Sequence, residues 1–156
     1  MTDIRNAAPI RVLFVCTGNS ARSIIAEALL RHHGGADFEV HSAGTEPRGV
    51  NPLTVRVLEE AGVDASSARS KSVDEFIGQR FDYVITVCDQ ARQSCPVFAG
   101  THQSLHWSHE DPAAASGTDD ERLHVFRRVF AQLGSRISQF AVIARRQRPG
   151  QPVTLA

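Results

Sequence analysis

The chain has 156 residues, 17 basic and 17 acidic side chains, no net charge, 42% hydrophobic residues and 6% aromatics. That length fits one domain around one core, and balanced, scattered charge argues against a dedicated nucleic-acid surface. No apolar run approaches the ~20 residues that span a bilayer, and no secretory signal opens the chain, so a monomeric cytoplasmic protein away from membranes is expected.

Residues 1–9 are polar and end in Pro9, and residues 146–156 carry two prolines with no helical period, so both read as tails around a domain spanning 10–145. Ile10 to Val15 (IRVLFV) is a β-branched, apolar run that predicts a buried strand, and it leads straight into CTGNSARS. Residues 23–33 place Ile25, Ala28 and Leu29 on one helical face before the stop at Gly34-Gly35. Phe38 to His41 predicts a second strand, followed by the turn SAGTEPRG. Pro52 to Ala61 follows as a helix with Val55, Leu58 and Ala61 inward, stopped by Gly62.

Val73 to Gly78 reads as a short helix, and Phe81 to Cys88 (FDYVITVC) is the strongest strand signal of the chain. A fourth strand is expected at Gln103 to Trp107, then the loop HEDPAAASG. A long helix from Asp119 to about Arg145 has Leu123, Phe126, Phe130, Leu133, Ile137, Phe140 and Ala144 recurring at three- and four-residue steps. Alternating strands and helices with short connections imply an α/β sandwich, about four parallel strands with helices on both faces. Sites in such sheets lie beyond the carboxyl ends of the strands, where Cys16, Ser42, Cys88 and the loop holding Asp111 all follow predicted strands.

The segment CTGNSARS, between a strand and a helix, has the chemistry of an oxyanion cradle. Amides at a helix start carry partial positive charge without internal partners, so a loop over that end, Thr17 to Ser23, binds a phosphate-like dianion. Gly18 permits close approach, and Arg22 adds a planar fork for two oxygens. Its charge is expected to hold Cys16 as a thiolate, the reactive form. Cysteine and arginine at this spacing are weakly specific in a chain whose 17 cations are 16 Arg and one Lys. The added Gly18, Asn19, Ser20 and Ser23, with a strand before and a helix after, make the pattern specific.

The chain resembles the low-molecular-weight protein tyrosine phosphatase superfamily, and within it the thioredoxin-coupled arsenate reductases. The resemblance covers about residues 11–140 and is carried by VLFVCTGNSARS with AEALL, by HSAGTEP, by VITVCDQARQSCPVF and by HWSHEDPAAASGT. It implies a three-layer sandwich with Cys16 as nucleophile, Ser23 bonded to its sulfur, Asn19 bracing the loop against Ser42, and Asp111 as general acid. Asp111 precedes Pro112, which stiffens the loop; Glu110 is the alternative acid. Where many relatives carry a further cysteine before the arginine, this chain has Ala21, so no disulfide can form inside the loop. The resemblance extends to a potassium ion near Asn19, Glu27 and Ser42, with no other cofactor and no metal. His106, His109 and Glu110 have only loosely ligand-like spacing.

Three cysteines in a reducing compartment point to free thiols, a metal or redox chemistry. Read from the residues alone, Cys88 and Cys95 are either core thiols or a redox pair. The resemblance implies the pair: Cys88 attacks arsenylated Cys16, arsenite leaves, and Cys95 takes over Cys88 by exchange, to be reduced by thioredoxin. A regular helix between them would hold the two roughly 10 Å apart along its axis, whereas a disulfide needs Cα atoms within about 7 Å. Residues 89–94 are therefore expected to be helical when reduced and to unwind on oxidation.

Two other functions use the same loop. A phosphatase acting on phosphotyrosine or a small phosphomonoester would need Cys16, Arg22 and Asp111 but has no use for Cys88 and Cys95. A phosphotyrosine pocket also wants aromatic walls, and PAAASG supplies none. A non-catalytic oxyanion-binding module or phosphocysteine carrier would not need the acid.

Overall fold

The computed structural model describes residues 8–100 and 102–148, so most of both expected tails lies outside the described residues. Four strands, β1 (Ile10–Cys16), β2 (Phe38–Gly44), β3 (Tyr83–Thr86) and β4 (Gln103–His106), form one parallel sheet in the order β2-β1-β3-β4. The first crossover, through α1 (Arg22–Gly34), carries the chain from β1 to β2 on one side. The next returns across β1 to β3, through α2 (Pro52–Glu60) and a 3-10 turn at Val73–Phe76. The connections leaving β1 and β3 thus diverge, and parallel sheets bind ligands at such a switch point.

Side chains alternate between the two faces of the strands. Val12, Phe14, Val40, Ser42, Tyr83 and Ile85 share one face by register. It is covered by α1, whose Glu27 reaches Ser42, and by α4 (Asp119–Arg146). Phe140 of α4 lies 4.9 Å from the Tyr83 ring and 5.6 Å from Trp107, which in turn lies 5.8 Å from Phe14. A capping box between Thr118 and Glu121 starts α4. Leu13, His41 and Val84 share the opposite face, which takes shorter elements: the Phe76 ring packs 5.2 Å from His41, and the segment after β3 closes over the β3 and β4 side chains.

Three local expectations shift. The second strand runs on to Gly44, so Ser42 lies inside it, paired with Phe14, rather than after its end. The third strand pairs only over Tyr83–Thr86, because Asp82 turns its carboxylate to the Arg11 amide at 2.8 Å and Cys88 leaves the sheet to cap α3 (Asp89–Ser94). The buried stripe of α2 is Leu53, Thr54, Val57 and Leu58, with Ala61 exposed and Val55 half-buried. The inner face is rotated because Thr54 hydrogen-bonds the Ser20 carbonyl at 2.7 Å. No helix among the described residues is long and apolar enough to cross a membrane.

Candidate active site

Cys16 is the last residue of β1 and the next residues turn out of the sheet to start α1. The segment after β2 ties the turn back: the amides of Thr45, Glu46, Arg48 and Asn51 donate to the carbonyls of Cys16, Thr17, Gly18 and Ser20 at 2.8–3.1 Å. A trans peptide points its N–H opposite its C=O, so the amides of Thr17, Gly18, Asn19 and Ala21 face the other way, into the loop's hollow. Asn19 shows the result, its N–H lying 3.1 Å from the Cys16 sulfur. Ala21, at the N-cap of α1, has no side chain to cap the helix, which leaves first-turn donors for an anion.

Close backbone approach is required at Gly44, beside Cys16 in the sheet, more than at Gly18. A Cβ at Gly44 would sit 2.6 Å from the Thr17 carbonyl oxygen and 2.9 Å from the Asn19 Cβ. At Gly18 it would meet only side chains at ordinary contact distance, Arg48 at 3.4 Å and Ser20 Oγ at 3.5 Å. Asn19 occupies the left-handed region, φ 44°, which asparagine tolerates better than most residues. Its side chain is held on three sides: Nδ2 donates to Ser23 Oγ at 2.7 Å and Ser42 Oγ at 3.1 Å, and Oδ1 accepts from the Lys71 amide at 2.8 Å.

Ser23 Oγ lies 2.8 Å from the Cys16 sulfur. Burial pushes the Cys16 thiol above its ordinary pKa. The Ser23 hydroxyl opposes this most, then the Ser23 and Asn19 amides, and the Arg22 charge least. The Arg22 charge acts on Cys16 in the expected direction, and its guanidinium is directed to the acid loop. Nη1 donates to the His109 carbonyl at 2.9 Å and Nη2 lies 3.6 Å from Asp111 Oδ2.

Cys16, Thr17, Arg22, Cys88 and Asp111 line one open cleft of about 630 Å³, and no aromatic side chain lines it among the described residues. Asp111 Oδ1 accepts from the Ala113 amide at 3.0 Å, fixing the carboxyl at the cleft edge. Glu110 points away to α4, where Arg128 grips it through two bonds of 2.7 and 3.0 Å and lowers its pKa. Of the two carboxyl groups, only Asp111 faces the thiol cleft.

Cys88 is buried, and its sulfur lies 3.3 Å from Thr17 Oγ1 and accepts from the Ala91 amide at 3.4 Å. All three cysteines are free. Residues 89–94 form α3, so the span expected to be helical between reduced thiols is helical here. Cys95 lies at its far end in a separate hollow with Thr86, His102 and His106, and burial raises its pKa.

The residues present do not fit a potassium ion. The Glu27 carboxylate already receives Ser42 Oγ at 2.5 Å, Arg31 at 3.2 Å and the Lys71 ammonium at 3.7 Å. A third positive charge there would meet repulsion from two. His106 bonds Asp89 at 2.8 Å and Thr86 at 2.7 Å, while His109 faces Gln132 and Glu110 faces Arg128. No metal-holding group of these side chains occurs among the described residues. Sequence reasoning overlooked Lys71, Thr54 and Asn51; the signal for Lys71 was its being the sole lysine.

A buried cysteine on an amide-lined loop at the switch point of a small parallel sheet, with an arginine and an Asp-Pro at its rim, defines a thiol-centred class of oxyanion-binding α/β proteins. The family model described as low molecular weight phosphotyrosine protein phosphatase matches residues 11–149, and the chain belongs to that family. Within it, an arsenate reductase of Halalkalibacterium halodurans is 42% identical over 130 residues, spanning 83% of this chain and 94% of the relative. A solved structure described as an arsenate reductase in the phosphate binding state superposes with a TM-score of 0.69 at 31% identity, covering 86% of this chain and 98% of that one. The thioredoxin-dependent arsenate reductase of Corynebacterium glutamicum gives a TM-score of 0.68 at 31% identity, covering 90% of this chain and 65% of that one.

Proposed function

We propose that this protein reduces arsenate to arsenite in the cytoplasm, with Cys16 as nucleophile, Asp111 as general acid, Cys88 and Cys95 as a redox pair, and thioredoxin as the final reductant. The observation that carries this reading is the sharing of one cleft by two thiols, Cys88 reaching the oxyanion loop through Thr17. A hydrolase needs only the first. The relatives' activity, and a cleft that no aromatic side chain among the described residues lines, support the same choice.

The loop amides and Arg22 hold the oxyanion while the Cys16 thiolate attacks arsenic. Asp111 gives a proton to the departing oxygen, which leaves as water. Cys88, as thiolate, then attacks the Cys16 sulfur. The S–As bond breaks with its electron pair on arsenic, so As(V) becomes As(III) and a Cys16–Cys88 disulfide forms. Cys95 attacks Cys88, returning Cys16 as a thiolate, and a thioredoxin dithiol reduces the Cys88–Cys95 bond. Because α3 separates the last two thiols by about 10 Å, that exchange requires α3 to unwind.

Arsenate-dependent NADPH oxidation with thioredoxin and its reductase tests this. Activity is expected in the wild type and none in Cys88→Ser or Cys95→Ser. Full activity in the Cys95→Ser protein would refute the relay and point to a low-molecular-weight thiol as reductant.

A further inference from the structure

The chain's single lysine is buried beneath the oxyanion loop, where nothing in the reaction above uses it. Lys71 is 7% exposed, its ammonium donates to the Arg69 carbonyl at 2.6 Å, and it sits 3.7 Å from Glu27, itself 5% exposed. Arg31, half-exposed, lies 3.2 Å from the other Glu27 oxygen, while Arg69 and Glu75, 2.9 Å apart, complete the charged surroundings. Two charges are seldom buried together unless each secures the other.

Hydrogen-bond polarity shows what the pair does. An ionised carboxylate only accepts, so Ser42 must donate to Glu27 and can receive Asn19 Nδ2 only on a lone pair. Asn19 cannot flip, because Oδ1 already accepts from the Lys71 amide. Its amide therefore also donates to Ser23 Oγ. Ser23, accepting from Asn19, has its own proton free for the Cys16 sulfur 2.8 Å away. A proton on Glu27, or a displaced carboxylate, would free Ser42 to turn its own proton toward the Asn19 amide hydrogens, so that Asn19 keeps its polarity through the Lys71 amide but loses the brace that holds its Nδ2 in place.

We infer that the Lys71 ammonium is a tethered cation that anchors the Glu27 carboxylate and so braces the Ser42–Asn19–Ser23 chain that positions the donor to the Cys16 sulfur, in the role a diffusible monovalent ion would otherwise fill. Lys71 is a positioning residue and touches neither sulfur nor oxyanion. This rests on Cys16 being the nucleophile, but not on arsenate being the substrate.

The test is iodoacetamide alkylation of Cys16 in a Cys88→Ser/Cys95→Ser background, where it is the sole thiol, read by mass spectrometry across pH. With Lys71 intact, potassium chloride and choline chloride at equal ionic strength should give the same rate. Lys71→Ala should alkylate roughly fivefold more slowly at neutral pH, with its profile moved to higher pH. Potassium or ammonium should restore the rate saturably, and choline should not. Lys71→Met, which removes the charge but fills the space, should be slow and unresponsive, and it decides the matter if the alanine variant does not fold. Wild-type rates in Lys71→Met, a slow Lys71→Ala that no cation restores, or potassium stimulation with Lys71 present would each overturn the inference. Arsenate turnover is not the readout, so failure here leaves the reductase assignment standing.

Discussion

Replacing Gly44 by alanine probes the contact that shapes the oxyanion loop. The new Cβ would lie 2.6 Å from the Thr17 carbonyl oxygen, roughly 0.8 Å inside an ordinary 3.4 Å contact, and 2.9 Å from the Asn19 Cβ. Neither obstacle is a flexible tip: one is backbone, and the other is the stem of a side chain held by three hydrogen bonds. The loop must therefore move as a unit, or β2 must part from it. Overpacking of this kind costs about 2 kcal/mol, roughly 6 °C in melting temperature for a domain of this size. Misplacing the reacting sulfur by nearly 1 Å should cost about a hundredfold in turnover. Thermal unfolding and the thioredoxin-coupled assay measure the two separately, and activity should fall far more than stability. A Gly44→Ala protein with wild-type turnover would show that the loop is not held by this contact.

Ser23→Ala removes the strongest opposition to the burial that raises the Cys16 pKa; alkylation of Cys16 should slow at neutral pH and its pH profile move upward, and an unmoved profile would exclude Ser23 as the donor. Asp111→Asn should slow arsenate capture by about 10²–10³, while Glu110→Gln, whose partner is Arg128 on the far side, should stay within about twofold in single-turnover measurements. Forming the Cys88–Cys95 disulfide should erase amide protection across Asp89–Ser94 and break the His106–Asp89 contact. Backbone NMR shifts that are the same in both redox states would refute the unwinding.

Much was legible in the chain because it is encoded locally. Strand β1 and helix α1 follow from apolar runs bounded by glycine, and the long period of α4 could be read without any partner. CTGNSARS announced its chemistry because helix-start amides, a thiol and a guanidinium act within eight residues. Where elements ended was less legible: Cys88 belongs to α3 rather than to β3 because its sulfur caps that helix at the Ala91 amide, a bond no strand propensity contains.

By itself the sequence determined the order of strands and helices, the identity of the thiols and the gathering of reactive residues near the carboxyl ends of strands. These rest on local periodicity and covalent neighbourhood. Only tertiary structure decided that Cys88 shares a cleft with Cys16 while Cys95 lies in a separate hollow, that Asp111 and not Glu110 reaches the cleft, and that Lys71 sits under Asn19. Each joins residues distant in sequence, through parallel register, the switch point between β1 and β3, and buried charges that must find partners wherever the folded chain brings them.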